Sequence, residues 1–267
     1  MTVDGSESSS GTARSRAERR TGPRPRRRSG APRRGFASTE KALDALAASG
    51  ARVSVRVSDL DRGTPVLAGD DFVTLPVAGM GIVPLLIEVA ARFDAGTLDP
   101  LEIVERSSVD DVSVAGIWRH LMAPALPLGD LAVLAAATGD ALAANALLGR
   151  VGLDAVRARL GSLGMPRTAL LDRFRDDRGP DDAPHYALGT ARELAAMFAA
   201  LVNTDVVSPG VSAQVSEWLS LNHDLSLVGS VTGLDPFAHD DDKHELLFVN
   251  KTGRADGIRT AAGVLAG

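Results

Sequence analysis

Leu247-Phe248-Val249-Asn250-Lys251-Thr252-Gly253, running on to Gly257-Ile258-Arg259, is the stretch around which the rest of the chain is organised. Its apolar residues read as a strand. Lys251-Thr252-Gly253 caps the strand with a cation, a hydroxyl and a glycine, the last of which lets a ligand approach the backbone. A turn leads into a second strand, Thr260 to Leu265. A tripeptide of this kind carries meaning only in company. Earlier segments must supply a nucleophile and acid–base groups at matching places.

The 267 residues suffice for one large domain or two small ones. Aromatic residues make up only 4%, so Ala, Leu and Val must build most of the core. Cysteine is absent, which excludes disulfides and thiol chemistry. No apolar run reaches the ~18 residues of a membrane span. The net charge of −5 is unevenly spread. Residues 1–35 hold ten arginines against Asp4, Glu7 and Glu18, a net +7, which leaves −12 for the remainder. Ser, Gly, Pro and Arg dominate this tail, and it has too little apolar surface to order itself. It reads either as a plain disordered tail or as a basic arm for nucleic acid or anionic membrane. Arg33-Arg34-Gly35-Phe36 has the look of a twin-arginine export signal, but no apolar stretch follows. The expected location is therefore cytoplasmic.

Order is expected from Ser38. Ser38 or Thr39 can cap a helix through Glu40 to Ala48. Val53 to Val57 alternates as a strand, Asp59 to Gly63 is a turn, and Pro65 to Ala68 is a second strand, which together make a hairpin. A buried helix follows, ending at Gly96. Pro84 is tolerable only near its start, which places the N-terminus near Gly79 to Gly81. Residues 99–128 read as a helical region with loops. Leu128-Gly129-Asp130-Leu131 opens an Ala-rich helix towards Leu148, and Val151 to Leu160 is another. Thr190-Ala191-Arg192-Glu193 is a capping box for Ala191 to Leu201, and Ser208-Pro209-Gly210 starts a helix from Val211 to Leu221. His239 to Glu245 is rich in His and Asp. Its spacing is not that of a histidine pair on one helix face, so a solvated acidic loop is the expectation.

These elements in this order resemble the class A β-lactamase family of serine hydrolases. The resemblance rests on three anchors. They are Val83-Pro84 with Asp94-Ala95-Gly96, Asp140 with Ala144-Asn145, and Lys251-Thr252-Gly253 with Gly257-Ile258-Arg259. It covers about residues 40 to 264. The resemblance implies an α+β fold: an antiparallel sheet flanked by helices, with an inserted all-helical subdomain. The implied boundaries are a tail at 1–37, α/β parts at 38–72 and 213–267, and the helical part at 73–212. It implies no cofactor and no metal. Lys251, Thr252 and Gly253, with Arg259 and Asp140, would line a substrate-binding cleft for a carboxylate-bearing small molecule or peptide.

The chemistry implied by the resemblance is missing. The nucleophilic serine falls on Gly79 and its lysine on Ile82. The Ser-Asp-Asn motif has become Gly139-Asp140-Ala141, and the glutamate that primes the deacylating water falls on Arg175, with Asp176 and Asp177 just beyond. The Asp172-Arg173 pair would pin that loop. A literal Ser-x-x-Lys does occur at Ser38 to Lys41, but it precedes the first strand, and helix capping explains it. The family continues past the equivalent of Gly267 with a strand between the two hairpins. The expectation is truncation, direct pairing of the hairpins, or a strand from another chain. The leading functional expectation is a family member without acyl-transfer machinery that retains a binding cleft. Its rivals are an active hydrolase of β-lactam or related amide and ester substrates, and a partner-binding protein acting through the arginine tail.

Overall fold

A computed structural model of the chain describes residues 36–237 and 246–267. The arginine-rich tail and the His239 to Glu245 cluster lie outside the described residues. The described chain runs α1 (Ala37–Ala48), β1 (Val55–Asp59), β2 (Thr64–Gly69), β3 (Leu75–Pro76), α2 (Ile82–Asp94), β4 (Ile103–Glu105), β5 (Ala125–Pro127), α3 (Leu128–Thr138), α4 (Ala141–Val151), α5 (Leu153–Ser162), β6 (Ala169–Leu170), β7 (Ala187–Gly189), α6 (Ala191–Val202), α7 (Pro209–Ser220), β8 (Leu247–Ala255) and β9 (Ile258–Ala266). All strand pairs are antiparallel, so the α+β expectation holds. The strands form four small sheets among the described residues, with β1–β2 and β8–β9 as separate hairpins. Direct pairing of the two hairpins, one of the expectations, is not what these residues adopt.

The core is built on α2. Every residue from Ile82 to Ala91 is buried, and the helix packs against α3, α4, α5 and α7. Pro84 sits in the first turn, where its missing N–H breaks no intrahelical bond. The one acid on this buried run, Glu88, is held by Arg92 and Arg159, each at 2.9 Å. A single 3₁₀ turn, Ala78–Gly81, leads into α2.

Several local expectations need correction. The first helix starts at Ala37 with Phe36 at its cap and no side-chain cap bond, so Ser38 lies inside the first turn. Residues 99–128 hold only the short pair β4–β5 and two 3₁₀ turns. Their apolar residues lack a sustained helical period. The Ala-rich stretch from Leu128 to Leu148 is two helices. Gly139 breaks it at φ +67°, a left-handed conformation that closes α3, and Asp140 caps α4 by accepting from the Ala143 N–H at 2.9 Å. The two later caps form as expected. Thr190 accepts from Glu193 N, and Ser208 accepts from Val211 N. The Glu193 carboxylate itself turns outward to Arg167 N and Thr168 Oγ1, so only half of the capping box closes.

Candidate binding site at the Lys251-Thr252-Gly253 strand

β8 and β9 are joined at Asp256-Gly257, with Gly257 at φ +66° and an unbroken register from Leu247↔Ala266 to Ala255↔Ile258. β8 lies directly on the 3₁₀ turn. A Cβ on Gly253 would sit 2.3 Å from the Val77 carbonyl oxygen and 3.1 Å from the backbone nitrogens of Gly79 and Met80. Gly253 is therefore needed for the close approach of the protein's own backbone. That differs from the sequence reading, in which the glycine makes room for a ligand. The turn is entered through Ala78, a non-glycine residue at φ +46°. Backbone in this region costs of order 1–3 kcal/mol and persists only where the surroundings enforce it.

This apposition brings the separate anchors together. A Cβ on Gly79 would lie 3.3 Å from the Thr252 carbonyl oxygen and 3.6 Å from Gly253 Cα. A Cβ on Gly139 would lie 3.6 Å from Lys251 Nζ. Gly79, Gly139 and Lys251-Thr252-Gly253 thus converge on one place.

Lys251 is 2% exposed. Its ammonium donates to the Ala136 carbonyl at 3.0 Å and to Asn222 Oδ1 at 3.2 Å. Burial pushes its pKa down to about 8, and the negative charge of Asp224 offsets part of that effect. Thr252 Oγ1 donates to Asp224 Oδ2 at 2.9 Å. Arg254 Nε donates to the same oxygen at 3.0 Å, and its Nη2 to Oδ1 at 3.3 Å. Ser226 N donates to Asp224 Oδ1 at 3.1 Å, and Ser226 Oγ bonds the same oxygen. Burial pushes the Asp224 carboxyl up. The bonds from Ser226 and Thr252 and the Arg254 charge outweigh it and hold the group below the usual carboxylate range.

The remaining candidates serve the fold. Asp140 is 1% exposed, and its carboxylate accepts from Ile117 N, Trp118 N and Ala143 N. Gly116 lies so close that a Cβ there would collide with this carboxylate. Ile82 and Ala141 are fully buried. Arg259 Nη1 donates to the carbonyls of Ala255 and Ile258, which folds its side chain back on the hairpin turn. Arg175 pairs with Asp172 at 2.8 Å and with Asp182 at 3.2 Å. Asp172 does fix the loop, but its ionic partners are Arg175 and Arg178. Arg173 gives it only a backbone N–H, while its side chain pairs with Asp110. Asp176 accepts from Ser113 N and Ser113 Oγ. Asn145 grips the same loop by donating to Phe174 O and accepting from Phe174 N, at 2.9 and 2.8 Å. No residue of α1, which carries Ser38 and Lys41, is buried.

Sequence reasoning missed Asp224, Arg254, Asn222 and Asn250. Two of them were within reach. Asn250 and Arg254 are two residues either side of Thr252, and the strand period puts all three on one face. Asp224 and Asn222 lie on a loop with no periodic signal. Among the described residues no group of three or more His, Asp or Glu could hold a metal ion, and no helix is long and apolar enough to cross a membrane.

A buried helix thus opens against a Lys-Thr-Gly strand, beside a helix–Gly-Asp–helix break, within an α+β fold. A model of the β-lactamase enzyme family matches residues 38–267, and the chain belongs to that family. A β-lactamase of Rhodobacter capsulatus is 28% identical over 190 residues, which are 68% of this chain. The match spans 60% of that relative's length. The crystal structure of a β-lactamase from Sphaerobacter thermophilus superposes with a TM-score of 0.76 at 22% identity, covering 86% of this chain and 84% of the other. An ancestral class A β-lactamase superposes with a TM-score of 0.67 at 25% identity, covering 85% and 84%.

Proposed function

We propose that this chain is a β-lactamase-family protein that forms no acyl-enzyme and acts by binding a carboxylate-bearing small molecule or peptide. The observation that carries this reading is Gly79. It stands against the Thr252–Gly253 backbone, where the family's nucleophile would project, and it has no side chain to acylate. Acyl transfer needs a nucleophile, a base to take its proton and donors for the oxyanion. At the position of the family's lysine, Ile82 is a fully buried hydrocarbon that can hold no proton. At the position of the water-priming glutamate, Arg175 is a cation engaged by two aspartates. Loss of a nucleophile alone removes about six orders of magnitude of rate in a serine hydrolase.

The test is intact-protein mass spectrometry after exposure to benzylpenicillin, alongside turnover of a chromogenic cephalosporin. The expected result is an unchanged mass and a rate no faster than buffer. A penicilloyl adduct on any hydroxyl, Ser38 included, or turnover above background, refutes the reading and returns the chain to active hydrolysis.

A further inference from the structure

The anion-binding strand of this protein already has a carboxylate on it. Asn250, Thr252 and Arg254 are successive same-face positions of β8, and all three bind Asp224. Asn250 Nδ2 donates to the Asp224 backbone carbonyl at 3.2 Å, and Thr252 and Arg254 donate to the carboxylate. Asn222 Nδ2 grips the same backbone carbonyl at 3.1 Å. The loop is tied down from behind by His223 N, which donates to Ala137 O at 3.0 Å. The two oxygens thus receive bonds from the hydroxyls of Thr252 and Ser226, from the Arg254 Nε and Nη2, and from the Ser226 backbone N–H. This is the fork-and-hydroxyl arrangement that recognises a carboxylate. The donor set differs from one that merely anchors a loop end, because a separate strand supplies three of its five bonds, two of them from a guanidinium.

We infer that Asp224 is a built-in occupant of the carboxylate site formed by Thr252 and Arg254, and holds that site shut to free carboxylates. The inference rests on the reading above that this strand is the ligand-binding wall. It adds that the wall is closed in the resting protein. A tethered group competes at an effective concentration of about millimolar or higher. A free carboxylate therefore enters only when the 222–226 segment lifts away, and an isolated carboxylate such as acetate has no other binding energy with which to lift it. A larger ligand opens the site by making contacts with the cleft that Asp224 does not make.

The test is chemical rescue in the full chain. Asp224→Ala leaves Thr252 Oγ1 without its acceptor and the Arg254 guanidinium with Ser226 Oγ alone. Sodium acetate should then raise the melting temperature of D224A progressively with concentration, beyond matched sodium chloride. The same acetate should bind wild type at least about tenfold more weakly, because the tethered group competes. D224A/R254A should lose the rescue. If D224A folds poorly, Asp224→Ser vacates the carboxylate position with a shorter polar side chain, and acetate binding is then read by NMR shifts of the β8 amides. Absence of acetate-specific binding in the variants overturns the inference, as does wild type binding acetate as well as D224A. Rescue that persists in D224A/R254A also overturns it. Penicillin acylation would sink the non-acylating reading and leave this result standing, so the two failures are distinguishable.

Discussion

Gly253→Ala tests the contact on which the site depends. The added Cβ would lie 2.3 Å from the Val77 carbonyl oxygen and 3.1 Å from the nitrogens of Gly79 and Met80. Non-bonded heavy atoms come to rest near about 3.5 Å, so β8 must retreat from the 3₁₀ turn by roughly 1 Å. All three obstructing atoms are backbone, and none can swing aside as a side chain would. The turn is also the entry to α2, whose buried run is the centre of the core. Overpacking costs typically 1–3 kcal/mol, and this case belongs at or above the upper end, at about 3 kcal/mol. For a chain of this size that corresponds to a fall in melting temperature of about 10 °C. Urea unfolding gives the free energy, with Gly149→Ala as the matched control. Gly149 lies in α4 with nothing within 4 Å of its added Cβ, so alanine there should stabilise by about 0.5–1 kcal/mol. A Gly253→Ala protein within about 0.5 kcal/mol of wild type refutes the placement of β8 against residues 77–80.

Lys251 makes stability rise with pH. Folding lowers its pKa from 10.5 to about 8, so between those values the unfolded chain binds the proton more tightly. Stability therefore increases from pH 8 to 10.5, by about 3 kcal/mol for this one group. Urea midpoints of wild type and Lys251→Met across that window should diverge by this slope, and parallel curves would refute the burial of the ammonium. Asn145→Ala strips both backbone groups of Phe174 of their partner and should cost about 2 kcal/mol. It should also speed amide exchange locally at residues 172–178. Unchanged exchange there would mean that Asp172 and its arginines hold the loop without Asn145.

The hairpin at Leu247 to Leu265 was legible as two strands about a turn, but Phe248 to Gly253 are buried on both faces rather than alternately. The caps at Thr190 and Ser208 were legible because one side-chain oxygen satisfies one exposed N–H, a local event written in four residues. The break between α3 and α4 carried the same kind of signal. Gly139 followed by Asp140 is a helix stop followed by a helix start, yet the alanine content around it favours a continuous helix. Residues 99–128 were misread because a few apolar side chains anchoring loops look like a weak helical period. The convergence of Gly79, Gly139 and Lys251 was visible only through family resemblance, since no local rule relates positions so far apart. Asp224 was invisible altogether. Its partners are 28 and 30 residues away, and nothing in a loop aspartate announces which strand it will reach.

Asp224 and Lys251 are linked even though they bond different partners. The carboxylate raises the lysine's proton affinity and so opposes the effect of burial. Removing it in Asp224→Ala takes away a favourable field, and the Lys251 pKa should fall below its value in wild type. An anion that then occupies the vacated position restores the field and must raise that pKa again. Linkage makes the effect reciprocal: what an anion does to the proton on Lys251, the proton does to the anion. Acetate should therefore bind D224A more tightly at pH values where Lys251 is charged, and the gain should vanish in D224A/K251M. Titrating acetate against both variants on either side of pH 8 separates two cases. A pH-independent affinity in D224A would mean that the anion sits at Arg254 alone, beyond the reach of the buried ammonium. A pH-dependent affinity that requires Lys251 would mean that the strand works as one electrostatic unit, with the buried ammonium and the Arg254 guanidinium acting on the same anion.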